Sequence, residues 1–143
     1  METTIPESQL PYLARLAAGV DVHYSRIVPS TATATLTIDD NHALITDATD
    51  NAVITLPLAS TVSGMRVTVM NIAASTAAKV SISPNAADKV VGSVAAVASG
   101  GVANKDWIST KATSVKGDYT TLISDGGTTW YCIGGVGVWA SET

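Results

Sequence analysis

Residues 124–140, SDGGTTWYCIGGVGVWA, hold five glycines, the only cysteine, a tyrosine and two tryptophans. A glycine run can cradle a phosphate when it feeds the N-terminus of a helix, often with a lysine and Ser/Thr behind it. Here Gly126-Gly127 feed Thr128-Thr129-Trp130-Tyr131, a β-type run, and only six residues follow Gly137. A nucleophilic cysteine needs a base within reach. His23 and His42 are far from Cys132 in sequence and sit in no recognisable catalytic pattern. Cys132 therefore reads as a small buried hydrophobe sharing a strand face with Trp130, while Tyr131 and Ile133 take the other face. Asp125-Gly126 between two alternating segments is a strong hairpin signal, with glycine supplying positive φ.

The remaining chemistry-bearing residues are scattered. Asp39, Asp40, Asp47, Asp50, Asp88, Asp106, Asp118 and Asp125 fall where turns are expected, and turn formation accounts for each. Asp39-Asp40 could bind calcium, but no calcium-loop spacing surrounds the pair. Trp107, Trp130 and Trp139 could stack on a sugar, and packing in a core or subunit interface competes with that reading. No base, nucleophile and oxyanion donor assemble into a constellation. No enzyme activity, cofactor or metal is expected.

These residues must be held by a frame, and composition says what kind. The 143 residues suit one domain. Charged residues are only 14% against 46% hydrophobic, too few to cover a monomer's surface comfortably, which points to coverage by other chains. The apolar bulk is Ala, Val, Ile and Leu with abundant Thr and Ser and no Phe, a composition suited to pleated sheets. Eight Lys and Arg stand singly against twelve Asp and Glu, so no basic track for nucleic acid exists. One cysteine excludes an intrachain disulfide framework. No signal peptide or membrane span is expected, and the chain is expected to be made in a cytoplasm.

Residues 1–29 are expected to form an N-terminal arm with a short helix. Ser8 or Gln9 would cap it, Pro11 sits in its first turn, and Gly19 ends it. Leu13, Leu16 and Ala17 share its face. The helix packs on its own domain, or the arm docks on a neighbouring subunit or larger assembly. From Ser30 the period changes to two. In TATATLTI, Ala32, Ala34, Leu36 and Ile38 face one way and the threonines the other. HALIT, AVITL stopped by Pro57, MRVTVMNI (apolar on both faces) and AAKVSISP follow. Then come a short strand at Lys89–Val91 and a long loop around Ser99-Gly100-Gly101. DWIST, DYTTLIS and TTWYCIGG close the chain. Short strands about every ten residues predict an all-β domain over residues 30–143, an antiparallel β-sandwich or small barrel.

Several of these elements form a larger pattern over residues 53–133: Leu56-Pro57 after a strand, Gly64 before Val67 to Asn71, Ile82 to Pro84, DKVVG at Asp88 to Gly92, and the closing LISDGGTTW hairpin. In order and spacing they resemble a small β domain that recurs in tailed-bacteriophage virion proteins, among them tail-fibre, baseplate-associated, head-fibre and capsid-decoration proteins. The resemblance implies virion membership and a homotrimer. The sequence carries no repeats, coiled-coil shaft or collagen-like tract of a long fibre. A short leader and one compact domain then suit a protein seated on a shell. The expectation is a capsid decoration (cement) protein on the virion's capsid exterior. It would contact the major capsid protein through Leu10, Tyr12, Leu13 and Leu16 and engage neither nucleic acid nor membrane. The alternative is a receptor- or glycan-binding module at a tail-fibre or head-fibre tip, with Trp107, Tyr119 and Trp139 as glycan or interface aromatics.

Overall fold

The computed structural model describes residues 26–94 and 97–142. They form an all-β sandwich of two sheets. The seven-stranded sheet has the order β1 (Ile27–Pro29), β3 (Ala43–Asp47), β5 (Arg66–Asn71), β10 (Tyr119–Ser124), β11 (Thr129–Val136), β7 (Lys89–Val94), β8 (Val97–Gly100). The five-stranded sheet has the order β12 (Trp139–Ser141), β9 (Trp107–Ser109), β6 (Val80–Ser83), β4 (Ala52–Thr55), β2 (Thr33–Thr35).

The alternation of the sequence appears directly in burial. Ala43, Ile45 and Asp47 of β3 point inward and Leu44 and Thr46 outward, and Ala52 and Ile54 of β4 are buried between half-exposed neighbours. Each fully buried Ile, Leu or Val contributes roughly 1.5–3 kcal/mol. Across the five-stranded sheet each inward ladder row starts at an alanine and ends at a tryptophan. One row runs Ala34, Ile54, Ile82, Trp107, and the next runs Ala52, Val80, Ser109, Trp139. The core is thus thin at β2 and filled by indole rings at β9 and β12. Trp130 of the opposite sheet completes it.

The expected sandwich is present, but its strands are not all antiparallel. β1, β3 and β5 run parallel in one sheet, and β2, β4 and β6 run parallel in the other. The chain crosses between sheets at every strand, so residues 27–83 wind as three stacked coils. Leu36, Leu56 and Pro84, each just past its strand's last ladder pair, are buried at the same corner of successive coils. Antiparallel pairing takes over afterwards, in β5–β10, β10–β11, β6–β9, β9–β12 and β7–β8, while β7 joins β11 in parallel.

Three boundaries differ from expectation. The β body reaches back to β1, because Ile27 to Pro29 pair with Leu44 to Thr46; residues 27–29 therefore belong to it rather than to the arm. The run TATATLTI gives only Thr33–Thr35 as strand. Thr37 then caps a 3-10 turn over Ile38–Asp40, accepting from Asp39 N while Asp40 Oδ2 accepts from Thr37 N, and Ile38 is left exposed. The loop expected around Ser99-Gly100-Gly101 is β8, paired with β7, and Gly101 (φ +72°) ends it against Val91. The arm residues 1–25 lie outside the described residues.

Candidate interaction surface

The outward residues of the seven-stranded sheet form ordered rows. Ladder register places Ile27, Leu44, Thr68, Thr121 and Gly134 side by side, and Pro29, Thr46, Met70, Tyr119 and Val136 in the next row. Ile123 and Tyr131 continue the face on the other side, beside Arg66 and Val91. Over β1, β3, β5, β10 and β11 this face carries no acidic side chain, and Arg66 is its one formal charge. Thr68 and Thr121 share a hydrogen bond between their Oγ1 atoms at 2.8 Å. Each hydroxyl thereby spends part of its polar capacity on the other, leaving methyl groups and neighbouring aliphatics to dominate the surface.

A groove of about 250 Å³ runs over this region, lined by His42, Ala43, Leu44, Thr68, Met70, Tyr119 and Thr121. His42 reaches its rim because it adopts φ +62°, and Asn41 Oδ1 accepts from Arg66 N at 2.9 Å to hold that corner. Beside the groove, β11 bulges. Thr121 pairs with Gly134 but Leu122 pairs with Cys132, so Ile133 is an extra residue on its strand. A bulge re-aims its side chains, and Ile133 is 48% exposed, next to Tyr131 at 45%.

The residues singled out for chemistry are dispersed. Cys132 packs against the core, with Sγ 3.3 Å from Thr120 Oγ1. His42 lies on the outer face, so the sheet separates the two. His23 and the docking candidates Leu10, Tyr12, Leu13 and Leu16 lie outside the described residues. Asp40 is engaged by Arg26 and by the Thr37 backbone. Asp125 Oδ1 accepts from Gly127 N at 2.7 Å and Thr129 N at 3.1 Å, closing the expected hairpin turn; these backbone donors hold its carboxyl below the ordinary range. Lys111 and the Lys79 backbone do the same for Asp50. Asp88 is buried, and its Oδ2 accepts from Ala59 N at 2.7 Å, pinning the 3-10 turn over Ala59–Thr61 to the start of β7. Among the described residues no three His, Cys, Asp or Glu side chains converge as a metal site.

The aromatics separate sharply. Trp107 and Trp139 are 1% and 0% exposed. Trp107 Nε1 donates to Thr120 Oγ1 at 3.3 Å, and Trp139 Nε1 donates to the Val136 carbonyl at 3.2 Å. Neither ring presents a face to solvent, which corrects their expected place at a glycan or interface surface. They fill the wide end of the core, where the small residues of the opposite end leave off. Tyr119 is half-exposed and lines the groove. Sequence reading missed Leu44, Thr68, Met70 and Thr121 as surface formers. For Thr68 and Met70 the signal was present in MRVTVMNI, which is apolar on both faces; Leu44 and Thr121 lie in other strands and carried no such signal.

No helix among the described residues is long and apolar enough to cross a membrane. A comparison with protein-family models and with curated proteins finds no match to this chain.

Proposed function

We propose that this chain is a structural virion protein, a capsid decoration protein that binds the outside of a tailed-phage head as a homotrimer, with the major capsid protein as its partner. The observation that carries the reading is the partly apolar outer face of β1, β3, β5, β10 and β11, which bears no acidic side chain and the single charge of Arg66. A surface of this kind is suited to contact between proteins. The resemblance over residues 53–133 and the 14% charge content point the same way. The mechanism is mechanical. Packaged DNA pushes a shell outward, and a protein that binds the assembled shell but not its free subunits stabilises it by mass action. Many copies make modest contacts sum.

Residues 1–28 supply shell contact in this reading, through Leu10, Tyr12, Leu13 and Leu16. Deleting residues 1–20 is expected to abolish co-sedimentation with undecorated shells while far-ultraviolet circular dichroism keeps its β signature. A truncated chain that still decorates shells overturns the docking assignment.

One observation favours a second reading, a receptor- or glycan-binding tip module: Tyr119 lines the groove beside two threonine hydroxyls. Glycan-array binding that is lost in Tyr119→Ala supports it.

A further inference from the structure

We propose that the outer face of the seven-stranded sheet is where this chain meets a second copy of itself, with the Ile133 bulge of one copy seated in the Thr68–Tyr119 groove of the other. The inference rests on reading the chain as a contact protein, and not on where in a virion it sits.

Three observations select this occupant. The first is charge. The chain carries a formal net charge of −4, so its copies repel one another at long range and approach best where carboxylates are absent. The outward residues of β1, β3, β5, β10 and β11 contain none. The second is shape. The face carries both a projection and a recess on adjoining strands. Ile133 and Tyr131 stand out at the β11 bulge, and the groove over Thr68 and Thr121 begins one strand away. Neither feature fills the other within one chain, and two copies brought together supply both halves of the contact. The third is extent. Five strands about 4.8 Å apart, from three residues in β1 to eight in β11 at about 3.3 Å per residue, make a face of order 400–500 Å². That is near one partner's share of a small specific interface, so association is expected to depend on concentration.

Gly134 provides a clean probe. A Cβ there meets nothing within 4 Å, and its ladder partner Thr121 lines the groove. Gly134→Arg therefore adds bulk and charge to the face without entering the core. The full-length chain, Gly134→Arg and Ile133→Asp are compared by sedimentation equilibrium over the micromolar range, with circular dichroism and thermal melts verifying the fold. The wild-type chain is expected at a multiple of 14.6 kDa. Each variant is expected to keep its β spectrum and melting transition while association weakens at least about thirtyfold, the scale of a lost hot spot. Mixing Ile133→Asp with Leu44→Lys is expected to restore part of the association that each lacks alone. A monomeric wild-type chain, or folded variants that associate as tightly as wild type, overturns the inference. Shell co-sedimentation separates its fate from that of the decoration reading. A monomer that still binds shells sinks only the self-contact, and an assembled, variant-sensitive chain that never binds shells sinks only the decoration role.

Discussion

Asp47 and Asn71 are direct partners in the β3–β5 ladder, both buried, and each bends its own chain out of the seven-stranded sheet. Asp47 Oδ1 accepts from Thr49 N at 2.7 Å, and Asn71 Oδ1 accepts from Ala73 N at 3.0 Å. These are the same side-chain turn, to the backbone two residues on, in successive coils. The spare groups differ. Asp47 Oδ2 accepts from Ala32 N at 3.3 Å, reaching the coil before it, while Asn71 Nδ2 donates to the Ala78 carbonyl at 3.0 Å within its own coil. The pair lets two coils of unequal length leave one sheet at the same level.

Asn71→Ala is therefore expected to strand a buried N–H and a buried carbonyl together. A loss of about 2–4 kcal/mol in urea unfolding is expected. Asn71→Asp keeps the acceptor but loses the donor, and is expected to recover only part of that loss.

Thr120 links two core groups, accepting from Trp107 Nε1 and lying 3.3 Å from Cys132 Sγ. Thr120→Val preserves shape and removes the acceptor, at an expected cost of about 1–3 kcal/mol. Trp107→Ala removes a buried indole, at about 3–5 kcal/mol. Both losses are measured by chemical denaturation. A Trp107→Ala chain that keeps wild-type stability would contradict its core placement.

The closing glycines are not equivalent. Gly137 has φ +95°, and a Cβ there would lie 2.2 Å from Asp118 Cγ, whereas Gly134 faces open space. Gly137→Ala is expected to lower stability by at least about 2 kcal/mol, from backbone strain and displacement of Asp118. Gly134→Ala is expected to stay within about 0.5 kcal/mol of wild type. Thermal melts of the two variants, run side by side, check the contrast.

Asp125 and Asp50 are both held below the ordinary carboxylate value, Asp125 first by Gly127 N–H and Asp50 first by Lys111. A depressed folded-state pKa contributes stability that is fully present above the unfolded value and lost as pH falls through the folded one. Acidification from pH 5 to below about 4 is expected to destabilise wild type more than Asp125→Asn, which keeps an oxygen acceptor and cannot titrate. Melting temperatures across that range test the sign.

Much of the frame was legible because it is local. Asp125-Gly126-Gly127 between DYTTLIS and TTWYCIGG gave the β10–β11 hairpin, and the runs HALIT and AVITL gave β3 and β4 to within a residue. Parallel pairing was not legible. A half-buried strand has period two whichever way its neighbour runs, and the partners of β3 lie in other coils, across loops of unequal length that hide the repeat. Trp107 and Trp139 were left between a core and a surface place for a related reason. Alternation gives each ring a side, but which side faces the core depends on the small residues opposite, such as Ala34 and Ala52 at the far ends of the same rows. The bulge that exposes Ile133 is a register shift between two strands, so neither strand carries it alone.

The most direct test of the decoration reading is immunogold labelling of purified virions with an antibody raised against this chain. Label spread over the head is the result expected of a decoration protein. Label confined to the tail or its tip, or absent from the particle, would contradict it.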